Sequence, residues 1–296
     1  GRSLKNVSGD DLGSAVILNS IKKSNLKPEE IDEVIMGQVL TASTGQNPAR
    51  QAAMKSGIPK EKTAYVVNQV CGSGLRSIAS GFQSIKSGDS KIVLAGGQEN
   101  MSLAPHAINL RDGKKLGNSE MIDTMIKDGL WDAFHGYHMG VTAENVSTKF
   151  QVTREDQDKF ALNSHKKALS AINKGLFKDE IVPIDFNGEL ITQDEGPRTP
   201  DVEKIKSLDP AFDANGTITP ATSSPISIGS SMMLLASEDL VNDLNIKPEF
   251  RIVSRAVAGV DWTIMGSGPL PATEKALNNA SLTMDDIDII ELNEAF

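Results

Sequence analysis

The chain has 296 residues, 39% hydrophobic and 23% charged, with a formal net charge of −9 and a single cysteine. That length can bury one large core or two ordinary ones, and the acidic balance disfavours general attraction to nucleic acid or an anionic membrane. One cysteine excludes an internal disulfide, argues against a cysteine-based metal site and points to a reducing compartment, and no apolar run is long enough to span a bilayer.

The N-terminal Gly1-Arg2-Ser3-Leu4-Lys5 is no signal peptide. Residues 10–24 carry Leu12, Ala15 and Val16 at helical spacing, and after a turn at Pro28 residues 31–40 read as a strand. A helix is expected over 50–56 and a Val- and Tyr-rich strand over 64–70. Beyond Cys71, the residues Leu75, Ile78, Ala79, Phe82 and Ile85 fall on one helix face, predicted to be the buried one, and Gly88 closes that helix. Residues 91–97 read as a short buried strand ending in a Gly-Gly turn. Strand and helix alternate, which is the pattern of an α/β layered core.

From about 100 to 220 the texture changes. Helices are expected over 119–130, 140–150 and 154–174, the last opened by a capping box at Thr153-x-x-Asp156. Beyond them lies the irregular stretch 187–201, so this region reads as an insertion over the core that carries ligand contacts. Strands return over 232–237 and 249–260. One internal repeat stands out: 26-LKPEEIDEVI-35 and 282-LTMDDIDIIE-291 share an acidic turn and an aliphatic run, and each comes after a helical stretch. Duplication of a structural unit explains that order. The second copy stops at Phe296, so the second half is expected to be incomplete and the chain truncated.

Cys71 stands where a strand gives way to a helix, with Gly72, Ser73 and Gly74 directly after it. A helix start favours the thiolate, an elbow lifts the side chain off the sheet, and the glycines leave room for close approach. The surroundings fit a nucleophile for acyl transfer. The other reading of a lone cysteine is a small buried hydrophobe.

The segment Val67-Asn68-Gln69-Val70-Cys71-Gly72-Ser73-Gly74-Leu75 closely resembles the active-site segment of thiolases, which make or cleave 3-ketoacyl-CoA. Further matches occur in family order: Gly45-Gln46-Asn47-Pro48-Ala49-Arg50, then Gly96-Gly97-Gln98-Glu99-Asn100-Met101-Ser102. Tyr137-His138-Met139-Gly140, Thr142-Ala143-Glu144-Asn145 and Pro210-Ala211-Phe212 come next. Met265-Gly266-x-Gly268-Pro269 and Asn293-Glu294-Ala295-Phe296 complete the series, so the resemblance covers essentially the whole chain.

The resemblance implies a layered αβαβα fold of two similar halves with an inserted loop domain. Residues 1–100 and 217–247 would form the N-terminal half, 101–216 the loop domain, and 248–296 the start of the C-terminal half. It implies that Cys71 takes an acyl group from one acyl-CoA, and that a second acetyl-CoA, deprotonated at its α-carbon, attacks the thioester. Asn293 matches the asparagine that orients a water in an oxyanion hole. His138, Met139 and Met265 match the acyl-CoA pocket, Arg198 a coenzyme phosphate contact, and Phe212 and Ser224 the pantetheine wall. His106, His135 and His165 read as surface or structural residues. The resemblance implies no permanently bound cofactor and no metal, with CoA thioesters as substrates. It also implies a homodimer or homotetramer in the cytoplasm, with neither nucleic acid nor membrane as partner.

Two departures bear on activity. The loop 219-TPATSSPISIG-229 keeps Ser224 and Gly229 of the family pattern but replaces its Gly-Asn and Asn-Asp pairs. The family's Gly-His-Pro and Cys-x-Gly segments, which supply the base for the nucleophile and the group that moves the α-proton, do not occur among the 296 residues. The expectation is therefore a thiolase-type acyltransferase whose chain as given is inactive. A non-catalytic protein that binds CoA or thiolase subunits is the competing reading, and a ketoacyl-synthase-type condensing enzyme is a third.

Overall fold

The first helix, α1 (Gly9–Ser24), begins where the Ser8 hydroxyl accepts the Asp11 N–H, and it ends on Asn25 in the left-handed region. The computed structural model describes residues 2–244 and 246–296, so Gly1 and Asn245, both within the predicted N-terminal half, lie outside the described residues. After α1 come β1 (Glu33–Gly37), α2 (Pro48–Lys55), β2 (Thr63–Val67), α3 (Ser73–Ser87) and β3 (Ile92–Asn100). The strand–helix alternation read from the sequence is present in this order.

Two short strands, β4 (His106–Ala107) and β5 (Ile122–Asp123), precede α4 (Met139–Phe150) and α5 (Arg154–Asn173). The hairpin of β6 (Ile184–Phe186) and β7 (Glu189–Ile191), the short α6 (Val202–Lys206), β8 (Ile228–Ala236), α7 (Glu238–Asp243) and α8 (Pro269–Ala280) complete the set.

The main sheet has the order β2-β1-β3-β8, with β1 parallel to both of its neighbours and β8 antiparallel to β3. Alternation along the strands sends Val34, Met36, Ile92 and Leu94 into one core with Ile17 and Ile21 of α1 and Ala49, Ala52 and Ala53 of α2. Lys55 of α2 pairs with Asp10 and Asp11 of α1 at the edge of that layer. The opposite face of the sheet receives α3.

The packing of α3 corrects the predicted buried face. Its buried positions are Ser73, Ser77 and Gly81, one turn apart, while Leu75 is 76% exposed and Ile78, Ala79, Phe82 and Ile85 are half-buried. Small residues win because they let the helix lie almost on the strands. The Ser77 hydroxyl donates to the Gly96 carbonyl at 2.6 Å, and a Cβ at Gly81 would come within 2.9–3.5 Å of Leu235, Val93 and Ala95. The apolar stripe is thereby turned away from the sheet.

Other expectations are corrected as well. Gly96 and Gly97 form no turn; β3 runs on to Asn100, and a Cβ at Gly96 would stand 2.0 Å from the Ser231 carbonyl oxygen of β8. Residues 119–130 give the strand β5 and a π-helical turn at Ile126–Leu130 rather than one helix. The irregular 187–201 stretch opens with the β6–β7 hairpin, whose tip uses Asn187 and Gly188 at positive φ. Residues 249–260 form no strand.

The repeat holds as far as its turn. α1 and α8 both end on a left-handed residue, Asn25 and Ser281, each with φ of 57°. Each leads into a 3-10 turn, Pro28–Glu30 or Met284–Asp286, whose last side chain accepts a backbone N–H three residues back, from Lys27 at 2.7 Å or Thr283 at 2.8 Å. The first copy continues into β1, which is clamped between β2 and β3. The second meets no strand among the described residues, and Ile289, Ile290 and Leu292 are exposed.

The chain divides into two compact units. One comprises Gly1–Leu130, Val182–Thr192 and Ile226–Phe250; the other comprises Trp131–Ile181, Gln193–Pro225 and Arg251–Phe296. Among the described residues no helix is long and apolar enough to cross a membrane.

Candidate active site

Cys71 belongs to the first unit and the other predicted site residues to the second. At the end of β2 the chain turns sharply into α3, and four N–H groups of the turn, those of Gln69, Val70, Gly72 and Ser73, are held. The Val70 N–H donates to Asn68 Oδ1 at 2.9 Å, the Gly72 N–H to the Gln69 carbonyl at 3.1 Å, and the Ser73 N–H to the Val70 carbonyl at 3.1 Å. Ser73 Oγ accepts the Gln69 N–H at 2.8 Å and donates to the Val70 carbonyl at 2.6 Å.

The N-cap of α3 is Gly72, and Cys71 is exposed at the tip of the elbow. The amides of Gly72 and Ser73 are therefore already paired within the turn. The elbow rests on glycines: Cβ atoms built on Gly37 and Gly97 would lie 2.4 Å from the Ser73 carbonyl carbon and 3.5 Å from the Gly74 Cα.

Three parallel strands end beside this turn. Glu99, at the end of β3, accepts the Val39 N–H at 2.8 Å and the Leu40 N–H at 3.3 Å, just past β1. Burial pushes its carboxyl above the usual range, against the pull of those two N–H groups.

In the second unit, a turn from Trp131 to His138 delivers the chain into α4. Asp132 accepts the Phe134 and His135 N–H groups, its own N–H donates to the Tyr137 carbonyl at 2.8 Å, and Trp131 bridges to His138. His138 caps α4, its Nδ1 accepting the Gly140 N–H at 3.0 Å, so the neutral ring carries its proton on Nε2. Its ring stacks on Phe212 at 4.8 Å between centroids, and Phe296 meets Phe212 edge-on at 5.6 Å. Gly140 makes this possible, since a Cβ there would fall 2.2–2.4 Å from the Phe212 ring.

The loop after Phe212 is fastened by Glu144 of α4. Its carboxylate accepts the Thr217 N–H at 2.8 Å and the Ile218 N–H at 2.8 Å. Asn145, next on α4, donates to the Thr263 carbonyl at 2.9 Å and so ties α4 to the 3-10 turn Trp262–Ser267 that holds Met265. The Ser224 N–H donates to the Ala295 carbonyl at 2.9 Å, and Ser164 of α5 donates to Glu294 at 2.7 Å.

His138, Phe212 and Ser224 are thus brought together with the 294–296 segment, and the exposed Asn293 sits directly before it. Met139 opens α4 beside His138. Arg198 is exposed, and its N–H reaches His165 of α5 at 3.4 Å rather than the aromatic group. Sequence reasoning gave no role to Glu144, Asn145 or Phe296, although each lies inside a family motif; the signal was an acid and an amide side by side on a helix. Among the described residues no group of three or more His, Cys, Asp or Glu is placed to hold a metal ion.

Burial holds the His138 imidazole below its ordinary value. The folded chain therefore takes up this proton later than the unfolded chain as pH falls, so its contribution is intact above about pH 6.5 and is lost on acidification toward the folded value. The variant His138→Asn keeps a capping acceptor without the titration. Thermal unfolding at neutral and mildly acidic pH should show a larger drop for the parent chain than for the variant. Equal drops would remove His138 as the cause.

Comparison with known proteins adds a separate line of observation. The family model described as "Thiolase, N-terminal domain" matches residues 1–239, and "Thiolase, C-terminal domain" matches residues 246–296. An acetyl-CoA acetyltransferase of Rhizobium meliloti (strain 1021) is 52% identical over 296 residues, covering 98% of this chain and 75% of that protein. One from Paracoccus denitrificans is 48% identical, covering 99% and 76%. The crystal structure of the Bacillus anthracis acetyl-CoA acetyltransferase superposes with a TM-score of 0.95 at 39% identity, covering 99% of this chain and 76% of that one. These matches give no support to the expectation that the chain is inactive.

Proposed function

The chain belongs to the thiolase family, and on that premise we propose that it moves acyl groups between CoA thioesters through Cys71. The observation that carries this reading is the exposed thiol at the tip of a turn in which the N–H groups of Gln69, Val70, Gly72 and Ser73 are all held. The Cys71 thiolate would attack the acetyl-CoA carbonyl, and the C–S bond to coenzyme A would break to leave acetyl-Cys71 and the CoA thiolate. A second acetyl-CoA, having lost its α-proton, would attack that thioester through carbon, giving acetoacetyl-CoA and freeing the Cys71 sulfur. Thiolysis of a 3-ketoacyl-CoA is the same path reversed.

This reading assigns a group of residues within the second unit to the coenzyme. His138 offers an Nε2 donor, the Phe212 and Phe296 rings an apolar surface for the pantetheine arm, and Met139, Met265 and Ser224 its neighbours. Asn293 would orient the oxyanion water and Arg198 would meet a coenzyme phosphate. The resemblance alone carries the dimeric or tetrameric assembly, the cytoplasmic location and the three-part domain division.

Incubating the protein with acetyl-CoA and mapping the single cysteine by mass spectrometry tests the reading. We expect an acetyl group on Cys71. Saturable acetyl-CoA binding with no adduct would favour the non-catalytic binder instead.

A further inference from the structure

The elbow contains one residue whose backbone does not suit its side chain. Val70 has φ of +48°, and it is the only β-branched residue among the described non-glycine residues at positive φ. Branched side chains avoid this region because Cβ crowds the backbone, and when they occupy it the surroundings must over-determine them. A glycine would make the same turn without resistance.

Two side chains hold Val70, together with the Ser73 N–H on its carbonyl at 3.1 Å. Asn68 Oδ1 takes its N–H at 2.9 Å, and the Ser73 hydroxyl gives its proton to the Val70 carbonyl at 2.6 Å while accepting the Gln69 N–H at 2.8 Å. Ser73 is only 4% exposed and lies against Gly37 of β1, so the brace is anchored in the sheet. Asn68 is exposed, a side chain free to be changed without opening the core. The next residue along is Cys71, whose side chain has no hydrogen bond of its own among the described residues. Its direction is therefore set by the backbone on either side of it.

We propose that Ser73, with Asn68, is a positioning residue for Cys71, holding Val70 in its left-handed conformation so that the thiol is aimed where an acyl carbonyl is delivered. This rests on the reading of Cys71 as the acyl carrier. A residue that only helps α3 to start would brace the helix, and its loss would be indifferent to the side chain at position 70. A residue that holds a reluctant valine is needed less when that valine is replaced by glycine, for which the left-handed region is ordinary ground.

The test is a cycle of the parent chain, Ser73→Ala, Val70→Gly and the double variant. For each, the single-turnover acetylation of Cys71 by acetyl-CoA is measured beside its alkylation by iodoacetamide, a small reagent that needs exposure more than aim. Ser73→Ala is expected to slow acetylation by about 10- to 100-fold, as a small misplacement of a reacting group does, while alkylation changes by less than about 3-fold. In the Val70→Gly background the same substitution should cost several-fold less.

An equal acetylation loss in both backgrounds, or equal losses in acetylation and alkylation, would overturn the proposal. Should Ser73→Ala fail to fold, Asn68→Ala takes its place in the cycle with the same expected pattern, and its indifference to position 70 counts against the proposal in the same way. Absence of acetylation in the parent chain is a different result. It removes the acyl-carrier reading itself, and this proposal with it.

Discussion

Changing Cys71 to serine should lower acetyl transfer by about three orders of magnitude or more while leaving stability almost untouched. The oxygen replaces the sulfur in the same turn, and the site is exposed, so no packing is lost. What disappears is the chemistry: sulfur is a far better nucleophile than a neutral hydroxyl, and an alcohol needs a strong base to reach the same reactivity. The measurements are the rate of acetoacetyl-CoA thiolysis, the acetyl adduct, and the denaturation midpoint. A serine variant that keeps more than about a tenth of the parent rate would show that another group carries the acyl chain.

The second large effect is structural. Gly37→Ala should destabilise the first unit by about 3 kcal/mol and disturb acylation together with stability. The new methyl would stand 2.4 Å from the Ser73 carbonyl carbon, 2.5 Å from the Gly74 nitrogen and 2.6 Å from the Ser73 oxygen. All three are backbone atoms, so no side chain can swing aside and the start of α3 must move. Gly74→Ala is the matched control, because a Cβ there meets nothing within 4 Å. Urea denaturation that finds the two variants alike would mean that α3 is not seated closely on β1.

Much of the fold was legible because local pattern and tertiary demand agree. The spacing of Leu12, Ala15 and Val16 and the Thr153–Asp156 box stand where periodicity and capping place them, and the strand expected over 64–70 is present but stops at Val67, where the turn to α3 begins. The exceptions arise where a neighbour decides. Nothing in the sequence says that α3 will turn Ser73, Ser77 and Gly81 toward the sheet, because that choice depends on glycines in β1 and β3 that only the assembled strands bring near. Gly96-Gly97 reads as a turn until β8, distant in sequence, pairs beside it. Likewise 288–292 is patterned as a strand and forms none without a strand to join. At the site, the position of Cys71 was legible from its neighbours, but the roles of Glu144 and Phe296 depend on a loop that folds back onto α4.

The placement of β8 shapes how the sheet can be made. Its partner β3 is complete at Asn100, yet the residues that pair with it, from Ile228 to Ala236, emerge only after the whole of 101–227 has been synthesised. Closing so long a loop delays the pairing, and until it happens β3 presents a row of unpaired amides and carbonyls on one side. A nascent chain therefore carries a sticky, half-finished sheet through much of translation, and the yield of native protein depends on how well that edge is shielded before its last strand arrives.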